Sequence, residues 1–258
     1  MKMIPVSLIL AVAVSASVFA TEEMTAEQVV AQCYNLYRQA QDETEEISAT
    51  VTHDDGRKDE KKFIRWLRFS EDGEDKVAIR FSEPKLDDGL GLLIFRHRGG
   101  KDEQWLRLAG EKSVRKVAIR DQGKYFAGMD LTYEDARQLV GERTEDFTYR
   151  FLPEPDSSEE VWMIEAVPKP DTKTVYSRRI FQIARDTFAC NRIEYYGRHD
   201  KVQFNHNISF GENGRWRTSR IVIENSALKR TTEMIVTERN FDALDDFSFT
   251  TAKMVQGR

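Results

Sequence analysis

From Ile47 onward the chain falls into short runs in which apolar and polar side chains alternate, each closed by a cluster of Asp, Gly, Asn or Pro. A period of two is the mark of a strand with one buried face. "KKFIRWLRFS", "DKVAIRFS", "GLGLLIFRHR" and "DEQWLRLA" follow one another with only "EDGED", "EPKLDD" and "RGGKD" between them. A parallel pair needs a crossover of about a dozen residues or more, so connections this short make neighbouring strands antiparallel. "DFTYRFLP", "EVWMIEAVP", "YSRRIFQIAR", "CNRIEYYGR", "KVQFNHNISF", "RWRTSRIVIE" and "KRTTEMIVTERNF" continue the pattern, with "HDK" and "GENGR" as hairpin turns. The count is about eleven strands, with no Pro-, Gly- or Ser-rich linker to divide them. The expected fold is mainly β (α+β): one large antiparallel sheet, closed or strongly curved, in a single domain over residues 21–258.

Several strands are apolar on both faces. "DKVAIRFS" sets Val77, Ile79 and Phe81 against Ala78 and Arg80, as a sheet with one wet face should. "GLGLLIF" instead sets Leu90, Leu92 and Ile94 against Leu93 and Phe95, and Trp66 and Trp162 likewise lie in strands apolar on both sides. Such a sheet needs cover on both faces. One cover is a helix over "TAEQVVAQCYNLYRQAQ", where Val29, Val30, Cys33, Tyr34 and Tyr37 recur at helical spacing behind Thr25 and Gln28, a capping box. A second is "YFAGMDLTYEDA", residues 125–136, where Gly123 and Gly128 bracket Tyr125, Phe126 and Met129 ahead of a short helix. Thr132 caps that helix, Glu134 and Asp135 sit at its positive end, and it runs to about Leu139 before Gly141. The composition describes a lid or plug laid inward over the sheet, or a loop closing an ordinary core.

The first twenty residues, "MKMIPVSLILAVAVSASVFA", place one Lys, an apolar run and small residues in the order of a cleaved secretory signal. The run is shorter than the roughly 18 to 20 residues of a spanning helix, and no Cys stands at the cleavage point to carry a lipid. Loss of Lys2 takes the formal charge from −5 to −6, and a mildly acidic chain is a poor nucleic-acid binder. Cys33 and Cys190 would then meet an oxidising compartment, where they can pair or lie buried as small apolar residues. Both remain open from the sequence.

Catalytic patterns are missing. His53, His97, His199 and His206 have no metal-motif spacing, and neither a nucleophile elbow nor a phosphate loop is present. The acid pairs Asp54-Asp55, Asp87-Asp88 and Asp245-Asp246 sit where turns need them. No metal, cofactor or enzymatic turnover is expected.

"PKLDDGLGLLIF", "QWLRLAGEKSVRKV" and "YFAGMDLTYEDA", in that order, resemble the LolA-like outer-membrane lipoprotein-sorting proteins. The matching positions are Pro84, Gly89, Gly91, Trp105, Arg115, Gly128, Asp130, Tyr133, Glu134 and Asp135; Met129 and Ala109 depart from the pattern. The resemblance implies an open half-barrel whose concave apolar face is covered by helices, a periplasmic location, and acyl chains of a lipoprotein or another lipid held on that face. Trp66, Phe95, Trp105, Phe126, Met129, Tyr133 and Trp162 are the candidates for its lining. Arg115, with Lys116, is the candidate for a head group or a protein partner. An outer-membrane acceptor or a resistance-nodulation-division type transporter of the inner membrane is the implied partner, the latter if the domain is a lipid-sensing accessory module rather than a carrier.

Overall fold

The computed structural model describes residues 24–36, 38, 40–97, 99–137, 143–153, 158–197, 202–212 and 215–256, with the side chains of 201–217 left aside. The expected leader, Tyr37, Leu139, Gly141, His199 and the His206 side chain lie outside the described residues. Helix α1 (Ala26–Leu36) opens the fold, and its capping box is formed: the Thr25 amide donates to Gln28 Oε1 at 2.8 Å and the Gln28 amide to Thr25 Oγ1 at 3.2 Å. The strands are β1 (Asp42–Thr52), β2 (Lys58–Arg68), β3 (Lys76–Glu83), β4 (Gly91–Phe95), β5 (Glu103–Arg107), β6 (Arg115–Lys116), β7 (Phe147–Phe151), β8 (Val161–Pro168), β9 (Tyr176–Ala184), β10 (Cys190–Gly197), β11 (Val202–Glu212), β12 (Arg215–Asn225) and β13 (Arg230–Asn240). Helix α2 (Tyr133–Arg137) lies between β6 and β7, and α3 (Thr251–Val255) follows β13.

All thirteen strands join one antiparallel sheet in the order β6-β5-β4-β3-β2-β1-β13-β12-β11-β10-β9-β8-β7. Among the described residues the strands number thirteen, against about eleven expected. β6 is only two residues long, and β1 hides its alternation because Glu43 and Glu45 occupy inward positions. Both are buried against Arg239, with Arg65 on Glu45. The end strands β6 and β7 do not pair, so the sheet is an open half-barrel.

This order decides where the rest of the chain goes. The first six strands build outward from the centre to one edge, and the last seven return from the opposite edge to pair β13 with β1. Residues 117–146 must therefore connect the two edges, and the short route crosses the inner face.

The core has three parts. On the inner face of the first half, Ile47, Phe63, Val77, Ile79, Phe81, Leu92 and Ile94 meet Phe126, Met129, Leu131 and Ala136 of the crossover. In the second half, Val29, Val30 and Cys33 of α1 pack on Phe147, Ile164, Phe181, Ile183, Ile193 and Tyr195. On the outer face, Ala78 and Leu93 are covered by Phe249 and Met254. β4 thus needs its two apolar faces, and the second cover is the C-terminal segment, which sequence patterning did not single out. Arg68 clamps that segment, donating to the Leu244 carbonyl and pairing with Asp246, while its other bonds, at 2.7 and 3.0 Å, hold Asp42.

Candidate functional site

The crossover is folded as a tight plug. Tyr125 and Thr132 form an antiparallel bridge, the Phe126 amide donates to the Leu131 carbonyl at 2.7 Å, and the Met129 amide to the Phe126 carbonyl at 3.0 Å. The reversal requires left-handed backbone at Ala127 (φ 54) and Gly128 (φ 72), which glycine adopts without penalty and alanine does not. At the tip Phe126 and Met129 are fully buried, the Phe126 ring lying edge-on to Phe81 at 5.6 Å and 5.4 Å from Tyr133. Gly123 lies so close to the β8–β9 connection that a Cβ there would meet Val175 Cγ1 at 2.5 Å.

Three buried acids tie this plug to the sheet. Asp130 accepts from Arg230 Nε at 2.8 Å, Asn225 Nδ2 at 2.9 Å and the Thr232 hydroxyl at 2.8 Å, and its own amide donates to Thr232 Oγ1 at 2.9 Å. Glu134 accepts from Arg179 at 3.0 Å, from the Val175 amide at 2.8 Å and from the Thr174 hydroxyl. Arg179 is 1% exposed and is walled by the rings of Phe147, Tyr176 and Tyr195 at 4.9, 5.4 and 5.4 Å. Asp135 takes the Tyr176 hydroxyl at 2.9 Å and exchanges cap bonds with Thr132. The Gln104 amide of β5 donates to the Tyr133 carbonyl at 2.6 Å. The plug is thus bonded to β5, to β12–β13 and to β9, one anchor in each part of the sheet.

Burial has an electrostatic consequence at Asp135. Removal from water pushes its carboxyl up to about 6, against the hydrogen bonds from Thr132 and Tyr176 that favour the ion. Tyr176 is raised well above the ordinary phenol range by burial and then by Asp135. Glu45 behaves oppositely: burial alone would raise it, but Arg65 and Arg239 outweigh that and hold it below the usual range.

The candidate lining residues do not form one cavity. Phe126, Met129 and Tyr133 come together at the plug. Trp66, Phe95 and Trp105 point from the opposite face of β2, β4 and β5 and pack with the outer cluster under the C-terminal segment. Trp162 stands in the α1 half, beside Phe188 at 5.4 Å and under Arg185. The split follows from strand parity: Trp66, Phe95 and Trp105 alternate with Leu67, Ile94 and Leu106, and those three own the inner face. Arg115 and Lys116 are exposed on edge strand β6; Lys116 pairs with Glu103 and lies 5.7 Å from the Trp105 ring.

Among the described residues, two clefts lie away from the plug. One of about 190 Å³ lies on the outer face between Ile64, Trp66, Ala78 and Gly91 and the C-terminal Ser248, Lys253 and Met254. The other, about 330 Å³, is polar, at the rim where Tyr34, Arg38, Asp75, Arg96, His97 and Arg143 meet. There Arg38 is forked to Asp75 at 2.5 and 2.9 Å, and Arg143 binds Asp102 at 2.5 Å. Among the described residues no group of three or more His, Cys, Asp or Glu could hold a metal ion, and no helix is long and apolar enough to cross a membrane.

Solved structures share this architecture. A domain from Vibrio parahaemolyticus described as an outer-membrane lipoprotein-sorting protein is similar at a TM-score of 0.80 and 18% identity, over 90% of this chain and 98% of its own. A DUF1329 family protein from Desulfovibrio piger gives 0.76 at 22% identity, over 87% and 98%, and a LolA superfamily protein from Nitrosomonas europaea 0.70 at 13%, over 90% and 100%. A family model described as "Uncharacterized protein" matches residues 73–256, more than half of the chain. The chain belongs to that family, and its fold is LolA-like. No curated protein matches it. The matched span of this LolA-like chain runs from the β2–β3 turn to α3, so it contains the plug, its anchors on β9, β12 and β13, and the C-terminal cover.

Proposed function

We propose that the protein is a periplasmic carrier that holds acyl chains of a lipoprotein or another lipid on the inner apolar face of the sheet, with residues 122–136 as the cover that yields to cargo. The observation that carries the reading is the way this cover is built. Its sheet-facing side is apolar, Phe126, Met129 and Leu131 on a floor of Ile79, Phe81, Leu92 and Ile94, while its hold is polar and discrete, at Asp130, Glu134 and Asp135. A plug kept by a few ionic contacts can leave as a unit and regain hydration for every charge it releases, so those contacts oppose opening only weakly in net terms.

Magnitudes favour exchange. Uncovering three large side chains costs about 1.5–3 kcal/mol each, whereas an acyl chain of about sixteen carbons gains roughly 0.8 kcal/mol per methylene taken out of water. One chain suffices to replace the plug, and a second adds affinity. Arg115, exposed on edge strand β6, is the residue we assign to an anionic head group, since an Arg fork suits phosphate and carboxylate. The secretory-type leader and the lipoprotein-sorting relative support the periplasmic setting. No catalytic role is assigned to any residue.

The test uses the full chain, a diacylated lipopeptide and the same peptide without acyl chains. The carrier reading expects retention of the acylated form alone, with faster amide exchange over 122–136 in the loaded protein. Equal retention of both peptides, or uptake that leaves exchange over 122–136 unchanged, would count against it.

A further inference from the structure

Cys33 and Cys190, the two cysteines of the chain, are far apart in sequence and meet in space. Cys33 lies on the buried stripe of α1 beside Val29 and Val30, and Cys190 opens β10. Both join the cluster of Phe147, Ile164, Phe181 and Ile193, and both are buried at 3% exposure. Cys190 is the neighbour that acts most on the Cys33 thiol, raising it ahead of burial, and Cys190 Sγ itself reaches the Arg192 carbonyl at 3.5 Å. Both are free thiols in this state.

We propose that this pair closes to an intramolecular disulfide that fixes α1 to β10. The co-reactant is the disulfide of a dithiol oxidant of the kind an exported chain meets. One cysteine thiolate attacks that disulfide to give a mixed disulfide and releases one oxidant thiol. The second cysteine then attacks the protein sulfur of the mixed bond, and the oxidant leaves as its second thiol. The two cysteines lose two protons and two electrons, and the oxidant disulfide gains them.

Order matters in this chemistry. Once α1 is docked, the Cys190 neighbour and then burial hold the Cys33 thiol protonated, and a large oxidant has no path to either sulfur. The exchange therefore belongs to folding, before the helix seals the cluster, and the bond, once closed, is shielded from reductants. Its structural value is local. α1 is 11 residues long and buries four of them, a small contact for a helix too short to persist alone. A covalent tie fixes it to the α1 half, while the plug half keeps only its non-covalent anchors.

The step rests on the reading of the chain as exported, and the test separates the two. The full chain is refolded from the reduced, denatured state with oxidised glutathione, then denatured and alkylated without reductant. The proposal expects no alkylated thiol, a mass lower by two hydrogens, and one cross-linked peptide pair containing Cys33 and Cys190. It also expects protein refolded under reductant to melt several degrees below protein refolded with oxidised glutathione, whereas a Cys33→Ala, Cys190→Ala variant melts at the same temperature after either refolding. Two alkylated thiols, or a bond only between chains, overturns it. The same alkylation on protein taken from the producing cell reports on export: free thiols there, in a chain that closes in vitro, would uphold the pair and count against the exported location.

Discussion

Asp130 is wholly buried, yet four hydrogen bonds converge on it from two neighbouring strands. A buried charge is tolerated only when paired and saturated, and its removal strands the partner. Asp130→Ala leaves Arg230 and Asn225 facing an empty site, and we expect a loss of about 3 kcal/mol in urea unfolding. A loss below 1 kcal/mol would mean that Asp130 does not hold the plug. Asp135 makes a prediction of opposite kind. Its folded value of about 6 lies above the ordinary 3.8, so the fold takes up a proton in that interval. The associated stability is fully present below about pH 4 and is lost as pH rises through about 6, a change on the order of 2–3 kcal/mol. Asp135→Asn should flatten the stability profile between those values; a profile unchanged from wild type would show that Asp135 titrates elsewhere. Glu45 and Asp42, both held low by arginine, lose their contribution only under stronger acid. The helix start at Thr132 was legible because a capping Thr and two acids form a local pattern. That the same acids also reach β9 was not, because Arg179, Tyr176 and Thr174 are distant in sequence and carry no mark of what they face.

At the scale of elements, the plug and the C-terminal cover behave differently. Phe126→Ala removes a ring packed between Phe81 and Tyr133 and should cost about 3–5 kcal/mol if the plug stays docked. If the plug detaches instead, the loss is smaller and amide protection over 122–136 collapses, which exchange mass spectrometry separates. Gly123→Ala drives a Cβ against Val175 and should loosen the same segment at a cost of about 1–3 kcal/mol. On the other face, Met254→Lys places a charge over Ala78 and Leu93 and should release the C-terminal segment, red-shifting the emission of Trp66 and Trp105. Unshifted emission would mean that α3 does not shield those rings. α1, most strands and the plug were readable because periodicity and caps are local signals. β1 was obscured by inward acids that only Arg65 and Arg239 explain. The C-terminal cover was missed because a five-residue helix has too few turns to show a period. The division of the tryptophans was open to strand parity, but which face a parity belongs to is set by the cover, and the cover was unknown.

For the molecule as a whole, the connectivity is the device. A chain that lays down one half of a curved sheet, crosses to the far edge and fills in toward the centre must pass its longest connection over the concavity. The crossover thus becomes the cover, and its removal opens the inner face without unpairing any strand. Antiparallel order and two-faced strands implied a curved sheet with covers; the pairing of β13 with β1, which fixes the crossover's path, joins the two ends of the sequence and has no local signature. The most direct test of the carrier account is native mass spectrometry with lipid extraction, on protein purified gently from the envelope of the producing cell, beside a Phe126→Ala, Met129→Ala variant. The account predicts an acylated species bound to the wild type and altered in occupancy in the variant. Empty protein in both, with no uptake of offered lipopeptide, would contradict it and leave residues 125–136 as ordinary core.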